Sequence, residues 1–145
     1  MLPGMGLDLG RFSFFMRPDQ SMQFIAVEDI GKIVASVFAA PERFAGKTIE
    51  IAGDEVTGND MQEVFSRAAG RTITYSRFPD NLLVQNAFLG RLAALVDDGR
   101  CAGTADIAAL RKEFGALTTL NVWLSGLGKP LFDVDRHAKL PPLLV

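Results

Sequence analysis

Apolar side chains recur along the chain at two spacings, and each spacing indicates a different element. Alternation of apolar and polar residues predicts strands at 48–52 and 72–78, because successive side chains of a strand point to opposite faces, and the run at 22–26 is interpreted as a buried strand. An aromatic run at 12–16 predicts a further strand or an ordered loop. The Gly-Asp pair at 53–54 is expected to turn the chain after the second of the three strands.

The first two helices are predicted from their end signals as well as from their spacing. Glu28 and Asp29 stand where acidic residues favour the first turn of a helix, and Pro41 is expected to stop that helix. Thr57 followed three residues later by Asp60 resembles a capping box. An apolar stripe follows it, so the sequence predicts a helix that begins at this box and ends at Gly70.

Three further helices are predicted in the second half of the chain. They are expected at 80–99, at 104–114 and from 118 or 119 onward, the last with Trp123 as its buried anchor. Beyond Pro130 no periodicity remains. The sequence therefore predicts one α/β domain over 1–130 and a poorly ordered tail over 131–145.

Composition excludes several classes of function. A chain of 145 residues, 48% hydrophobic and 22% charged, is expected to form a single soluble domain. Its net charge is -2 and its basic residues are scattered, which does not favour a nucleic-acid partner. With one cysteine (Cys101) and one histidine (His137), a disulfide within the chain or a thiolate zinc site is excluded and no metal is expected. The sequence shows no bilayer-spanning apolar run and no secretion signal, so we expect no membrane partner and a cytoplasmic location.

Two glycine-containing segments superficially resemble phosphate-binding loops. Gly4, Gly6 and Gly10 lack the G-x-G-x-x-G spacing, a preceding strand and a following helix, so they are interpreted as a flexible loop. The Gly-Lys-Thr sequence at 46–48 would need a glycine where Pro41 stands, and it leads into a predicted strand rather than a helix. We interpret it as a turn.

Tyr75 is the only tyrosine and thus the only candidate for the tyrosine–lysine pair of short-chain dehydrogenases. The residue four positions later is Pro79 instead of a lysine, and that lysine is what lowers the pKa of the phenol. Tyr75 is therefore predicted to be a packing residue of its strand. We expect no catalytic residue and no cofactor-binding residue in this chain.

Three stretches together resemble the NmrA-like family, the atypical short-chain dehydrogenase/reductase-related proteins that bind NAD(P) on a Rossmann domain. Residues 22–33 read MQFIAVEDIGKI and are similar to the strand and the V-x-D-[IL]-G helix start of the family. Residues 44–54 read FAGKTIEIAGD and resemble its last sheet strand. The helical stretches LRKEFG, LTTL and WL within 110–124 resemble its C-terminal helices.

The resemblance implies a partial Rossmann-type α/β fold: the C-terminal, substrate-side strands and helices of an NmrA-like protein without the N-terminal dinucleotide-binding half. In that family the glycine-rich loop lies ahead of every stretch matched here. NAD(P) is therefore implied for the complete family member, an NAD(P)-dependent oxidoreductase or a dinucleotide-sensing regulator. This truncated chain is expected to bind no cofactor and to be inactive alone.

The same resemblance implies a ligand cleft and a partner. Phe15, Met16, Phe24 and Val27 are expected to line a small-molecule cleft, the alternative being that they pack in the core. An incomplete sheet would expose an unpaired edge, which predicts a homodimer or a complex with a separate nucleotide-binding half. The alternative function is a free-standing α+β module that binds a small apolar ligand or a protein partner.

Overall fold

The computed structural model of the chain describes residues 6–126 and shows a mixed α/β fold. A short 3-10 helix, Leu7–Leu9, comes first. The strands are β1 (Arg11–Phe14), β2 (Ser21–Phe24), β3 (Asp54–Thr57) and β4 (Thr74–Arg77). The α-helices are α1 (Val27–Ala39), α2 (Pro41–Phe44), α3 (Gly58–Ala69), α4 (Asp80–Gln85), α5 (Ala87–Asp97), α6 (Ile107–Phe114) and α7 (Leu120–Ser125).

The four strands form two separate pairs. β1 and β4 are parallel, with Phe12 opposite Tyr75, and β2 and β3 are antiparallel, with Met22 opposite Val56. A parallel pair requires a long crossover, which β2, α1, α2, β3 and α3 provide. The α/β class predicted from the sequence is confirmed.

Helix α3 begins and ends where the sequence predicts. The Thr57 side chain accepts a hydrogen bond from the Asp60 amide at 3.1 Å, and the Asp60 carboxylate accepts one from the Thr57 amide at 2.8 Å. Gly70 ends the helix with φ of 61°, a left-handed conformation that glycine adopts without the steric cost of a Cβ atom. The helix thereby places Met61 and Phe65 in the core.

The first core lies between the β1–β4 pair and helix α3. Its buried members are Phe12, Met16, Val56, Met61, Phe65, Ile73, Tyr75, Val96 and Leu124. The rings of Phe12 and Phe65 are 4.7 Å apart at a tilt of 58°, an arrangement that aromatic pairs favour. Leu124 is the fully buried side chain of α7, whereas Trp123 is only half-buried against this core. The prediction that Trp123 is the buried anchor is therefore wrong.

The second core joins α1, α6 and the residues that follow α2. Its buried members are Ile33, Leu110 and Leu117. Ile49 and Ile51 pack against them from the segment between α2 and β3.

The sequence predicts a strand at 48–52, but this segment is not a strand in the structure. The residues predicted to turn the chain, 53–54, instead lead into β3. Ile49 and Ile51 do face the second core, so the alternating pattern correctly indicates which side chains are buried. A strand also needs a hydrogen-bonded neighbour, which no described residue supplies here. The pattern predicts burial and does not predict pairing.

The predicted long helix at 80–99 is broken at Asn86. This residue is extended, with φ of −110° and ψ of 97°, and its side chain accepts a hydrogen bond from the Leu89 amide at 3.0 Å. Asn86 therefore caps α5 and separates it from α4. The predicted tail at 131–145 and His137 lie outside the described residues, and the predicted domain range 1–130 remains a prediction.

Candidate functional site

The four residues predicted to line a cleft lie in two different environments. Met16 is fully buried, and Phe15 and Phe24 are half-buried against the first core. Val27 stands at the start of α1 with 76% of its surface exposed, outside both cores. The structure thus brings Phe15, Met16 and Phe24 to one core and leaves Val27 apart from them.

Tyr75 is a buried packing residue of β4, as predicted. Its hydroxyl donates a hydrogen bond of 2.6 Å to the carbonyl of Met16. Burial raises the pKa of Tyr75 to about 12, against a smaller lowering by Arg77. A phenol that is held neutral by burial and engaged with a carbonyl is poorly suited to act as the acid of a dehydrogenase.

The two glycine-containing segments form turns. Gly6 and Gly10 have φ of 87° and 71° and flank the short 3-10 helix rather than a strand and a helix. Gly46 has φ of 73°, and no helix follows it until Gly58. Gly4 lies outside the described residues, and within 6–126 neither segment has the strand–loop–helix arrangement of a dinucleotide or phosphate loop.

A groove of about 470 Å³ lies between α2, residues 47–50 and α6, and we call it the α2–α6 groove. The rings of Phe44 and Phe114, 6.0 Å apart and 26° from parallel, form part of its wall. Arg43 donates a 2.7 Å hydrogen bond to Glu113 at its rim. The groove is thus apolar inside with charged side chains around it.

A smaller groove of about 290 Å³ shares Glu50, Thr104 and Ala105 with the α2–α6 groove. A hydrogen bond from the Thr104 hydroxyl to the Glu50 carboxylate joins residues common to both. Gln23 and Cys101 line the smaller groove. None of the four residues that the sequence predicts for a cleft lines either groove.

Asp29 is the charged side chain at the junction of α1 with the loop before α7. It is completely buried, and its carboxylate accepts hydrogen bonds from Lys32 Nζ at 2.8 Å and from the Thr118 amide at 2.5 Å. Burial by itself would raise the pKa of Asp29, but the hydrogen bonds from Lys32 and Thr118 together outweigh it and hold the pKa below its ordinary value. Asp29 is therefore a charged anchor of the fold.

The segment 48–52, which we call the open segment, has a backbone without hydrogen bonds. Its amides and carbonyls have no backbone or side-chain partner among residues 6–126. The neighbouring Gly53 amide, in contrast, donates to the carbonyl of Phe24 at 2.7 Å. The open segment thus lies beside the α2–α6 groove with its backbone free.

Residues 6–126 contain neither a metal-binding cluster nor a membrane-spanning helix. Within 6–126, no three His, Cys, Asp or Glu side chains are grouped so that they could hold a metal ion. In the same range, no helix has both the length and the apolar character needed to cross a membrane.

The family is decided by residues 13–115, which match the sequence profile of the NmrA-like family. The chain belongs to the NmrA-like family. The match runs from the second half of β1 to the end of α6 and includes the V-E-D-I-G start of α1. This confirms the family predicted from the resemblance; residues 22–33, 44–54 and 110–115 lie within the match, and residues 116–124 lie beyond it.

Solved structures of this fold agree with the family. The negative transcriptional regulator NmrA in complex with NAD is similar with a TM-score of 0.64 at 14% identity, over 86% of this chain and 46% of that chain. NmrA in complex with NADP is similar with a TM-score of 0.63 at 14% identity and the same coverage. A nucleoside-diphosphate-sugar epimerase from Staphylococcus aureus has a TM-score of 0.64 at 17% identity, over 81% of this chain and 44% of that chain.

At these identities the likeness shows the fold alone. The chain spans less than half the length of each of these proteins. The partial Rossmann-type fold that the resemblance implies is therefore the observed one.

The sequence did not reveal the α2–α6 groove or the environment of Asp29. Phe44 and Phe114 are 70 residues apart in the sequence, and no local spacing signals that their rings meet. For Asp29 a signal did exist, because an acidic residue in the first turn of a helix has a physical reason to be there. Its role as the acceptor for the Thr118 amide depends on a contact that only the folded chain makes.

Proposed function

We propose that this chain is the substrate-side part of an NAD(P)-dependent NmrA-like protein and that alone it neither binds nor turns over the dinucleotide. The proposal rests on one combined observation: residues 13–115 match the family, yet the chain covers only 46% of the length of NmrA. Among the described residues, the two segments that superficially resemble phosphate-binding loops form turns at Gly6, Gly10 and Gly46.

In the complete protein the dinucleotide serves one of two purposes: hydride transfer by an oxidoreductase, or sensing by a regulator. Solved NmrA structures are a negative transcriptional regulator with NAD or NADP bound, which supports the second. A soluble, cytoplasmic location is compatible with both hydride transfer and sensing. The buried hydroxyl of Tyr75 supports the absence of the tyrosine–lysine chemistry in this part.

The substrate side that this chain contributes is apolar and aromatic. We place the half-buried rings of Phe15 and Phe24 toward the cleft, with Met16 behind them as a packing residue. Val27, exposed on α1, would meet the partner rather than the substrate. A partner half that brings the dinucleotide to these rings would close the cleft.

Nucleotide binding tests the proposal directly. Calorimetric titration of the purified chain with NADPH and with NADH is expected to show no saturable binding. The chain is then passed over immobilised NADP. We expect it to be retained only when an extract of its source cells is added, and to be eluted by free NADPH. Saturable binding by the chain alone would contradict the missing half, and no retention with extract would remove the link to NAD(P).

A second candidate function rests on the α2–α6 groove. Its apolar interior, walled by Phe44 and Phe114 and bordered by Arg43 and Lys47, suits an amphipathic ligand with an acidic head. This is the free-standing module of the sequence analysis. Saturable, dinucleotide-independent binding of a fatty acid, lost in Phe44→Ala and kept in the exposed variant Glu63→Ala, would favour it.

A further inference from the structure

Two arginines share one carboxylate at the end of the β1–β4 pair. Arg17 donates from Nη1 to one oxygen of Asp97 at 2.8 Å, and Arg77 donates from Nη2 to the other oxygen at 2.7 Å. Asp97 is the last residue of α5, and Val96 before it is fully buried in the first core. These three charged residues, which we call the Arg17–Arg77 cluster, therefore join α5 to both strands.

The cluster lies at the end of the parallel pair where small molecules commonly bind. In open parallel sheets, ligands occupy the space outside the carboxyl ends of the strands. Both strands of this pair run toward the cluster: β4 ends at Arg77, and β1 ends at Phe14, its partner in the register. Arg17 follows in the turn that leads to β2. The topology therefore favours this end of the pair for a ligand.

The cluster holds one more positive charge than negative charge, since two guanidinium groups share a single carboxylate. A second carboxylate, that of Asp19, lies 3.9 Å from Arg17 Nε, but its side chain is 83% exposed and solvent screens most of its effect. The side chain of Arg17 is itself 44% exposed, so a further anion can reach it. Arg100 and Asp98, in contrast, form an ordinary exposed pair of one charge each.

Two buried side-chain atoms in this part of the molecule have no hydrogen-bond partner among residues 6–126. They are Arg77 Nε and Gln20 Oε1. The other end of the same amide, Gln20 Nε2, donates to the carbonyl of Val96, the residue before Asp97. An unpaired buried polar atom costs about 1–3 kcal/mol, so ion pairs that serve stability alone would be expected to leave none. Departures of this kind are typical of functional sites.

An aromatic ring stands next to the cluster on β1. Phe14 and Arg77 are opposite each other in the register, and side chains at paired positions of neighbouring strands lie on the same face of the sheet. The rings of Phe14 and Phe15 are 3.9 Å apart at a tilt of 33°, and both residues are only half-buried. Guanidinium groups bind carboxylates and aromatic rings pack against other rings, so the two features together suit an aromatic acid.

We propose that the Arg17–Arg77 cluster binds the carboxylate of a small aromatic acid. The attraction of the cluster for an anion grows in proportion to the charge of that anion, whereas the cost of removing the anion from water grows with the square of its charge. A site with one excess positive charge therefore favours a monoanionic carboxylate over a dianionic phosphate. The role of the acid as a substrate or an effector rests on the proposed function, but its binding needs only this chain.

Titration of the isotope-labelled chain, followed by NMR, tests the site with benzoate, phenyl phosphate and benzamide as probes. We expect saturable binding of benzoate, with the largest shifts at the Nε–H groups of Arg17 and Arg77. Phenyl phosphate should bind at least about tenfold more weakly, and the neutral benzamide should not bind. The proposal is overturned if benzoate shifts other residues or none, if phenyl phosphate binds as tightly as benzoate, or if benzamide does so.

Three variants separate a binding site from an ion pair that only stabilises the fold. Arg17→Gln should weaken benzoate binding at least about tenfold, whereas the matched control Arg100→Gln, which breaks the exposed pair with Asp98, should leave it unchanged. Equal effects of these two substitutions would contradict the site.

Asp97→Asn removes the carboxylate that competes with the ligand. It should strengthen benzoate binding about threefold or more and shift the preference toward phenyl phosphate. A purely structural ion pair predicts no such gain, so unchanged or weaker binding in a variant that stays folded by circular dichroism would overturn the proposal. If Asp97→Asn does not fold, the exposed substitution Arg17→Gln decides.

The two proposals fail separately. Benzoate binding at the cluster, by a chain that is not retained on immobilised NADP even with extract, would keep the site and overturn the proposed function. Retention on immobilised NADP with extract, but no benzoate binding, would do the reverse.

Discussion

The carboxylate of Asp29 accepts a 2.5 Å hydrogen bond from the backbone amide of Thr118, which lies 89 positions later in the chain. This bond ties the first turn of α1 to the loop before α7. The same carboxylate pairs with Lys32, one turn along α1. One side chain therefore connects α1 to the loop before α7.

Asp29→Ala is expected to destabilise the fold by about 2–4 kcal/mol, because it leaves the Thr118 amide without its acceptor and removes a charge-assisted pair. Lys32→Gln is the matched control, since the Lys32 side chain is 60% exposed and its contribution should be below about 1 kcal/mol. Urea unfolding of both variants measures the difference. Equal losses would show that the contact to Thr118 contributes nothing of its own.

The lowered pKa of Asp29 makes part of the stability depend on acid. Because this pKa is lower in the folded chain than in the unfolded one, the carboxylate stabilises the fold above the unfolded pKa of about 4, and that contribution is lost as the pH falls through the lower folded value. Unfolding free energies measured from pH 7 to pH 3 should therefore fall less steeply in Asp29→Asn than in the wild type. A parallel slope in the two proteins would contradict the assignment.

Leu124, rather than Trp123, is expected to anchor α7. Leu124→Ala removes a side chain that is 1% exposed and should cost about 2–5 kcal/mol, as large-to-small changes in a core do. Trp123→Phe, at a half-buried position, should cost less. Denaturant unfolding followed by circular dichroism compares them, and a larger loss in the tryptophan variant would reverse the assignment.

These elements show how far the sequence predicts the fold. The capping box at Thr57 and Asp60 is local chemistry, so the start of α3 is predicted to the residue. The error at Trp123 arises because a helical stripe indicates which face is buried and not which member of the stripe is buried most. The cleft residues remain a prediction, because none of them lines either groove of the described residues.

The open segment shows what a local sequence pattern cannot predict. Its alternating pattern correctly places Ile49 and Ile51 inward, yet no pattern within one strand can specify its neighbour. The α2–α6 groove could not be predicted either, since it depends on the meeting of Phe44 and Phe114 from distant helices. Long-range contacts decide both features.

Gly58, the first residue of α3, is expected to tolerate no side chain. A Cβ atom there would overlap the ring of Tyr75 and lie 2.8 Å from Pro18 Cα, so Gly58→Ala should cost at least about 1–3 kcal/mol. Gly31→Ala is the matched control on α1, where a Cβ would meet nothing within 4 Å. It should instead stabilise the isolated chain by up to about 1 kcal/mol. Thermal unfolding tests the opposite signs, and a neutral Gly58→Ala would contradict the close approach of Tyr75.

Tyr75 should make the fold sensitive to alkali. As the only tyrosine of the chain, it gives an unambiguous phenolate absorbance, and burial raises its pKa to about 12 from 10.0. A pKa raised in the folded state means that the contribution is fully present below pH 10 and is lost as the pH rises through about 12. The bond to the Met16 carbonyl requires the protonated hydroxyl, so ionisation and loss of packing should coincide.

In Tyr75→Phe the carbonyl of Met16 loses its hydrogen-bond donor, which should lower the free energy of unfolding by about 1–3 kcal/mol at neutral pH. The variant should also lack the loss of stability at alkaline pH that ionisation of Tyr75 causes in the wild type. Spectrophotometric titration of the wild type together with urea unfolding of both proteins at pH 8 and pH 11 separates these effects. A tyrosine that titrates near 10 in the folded chain would mean that its hydroxyl is hydrated. That result would contradict the buried hydrogen bond between Tyr75 and the carbonyl of Met16.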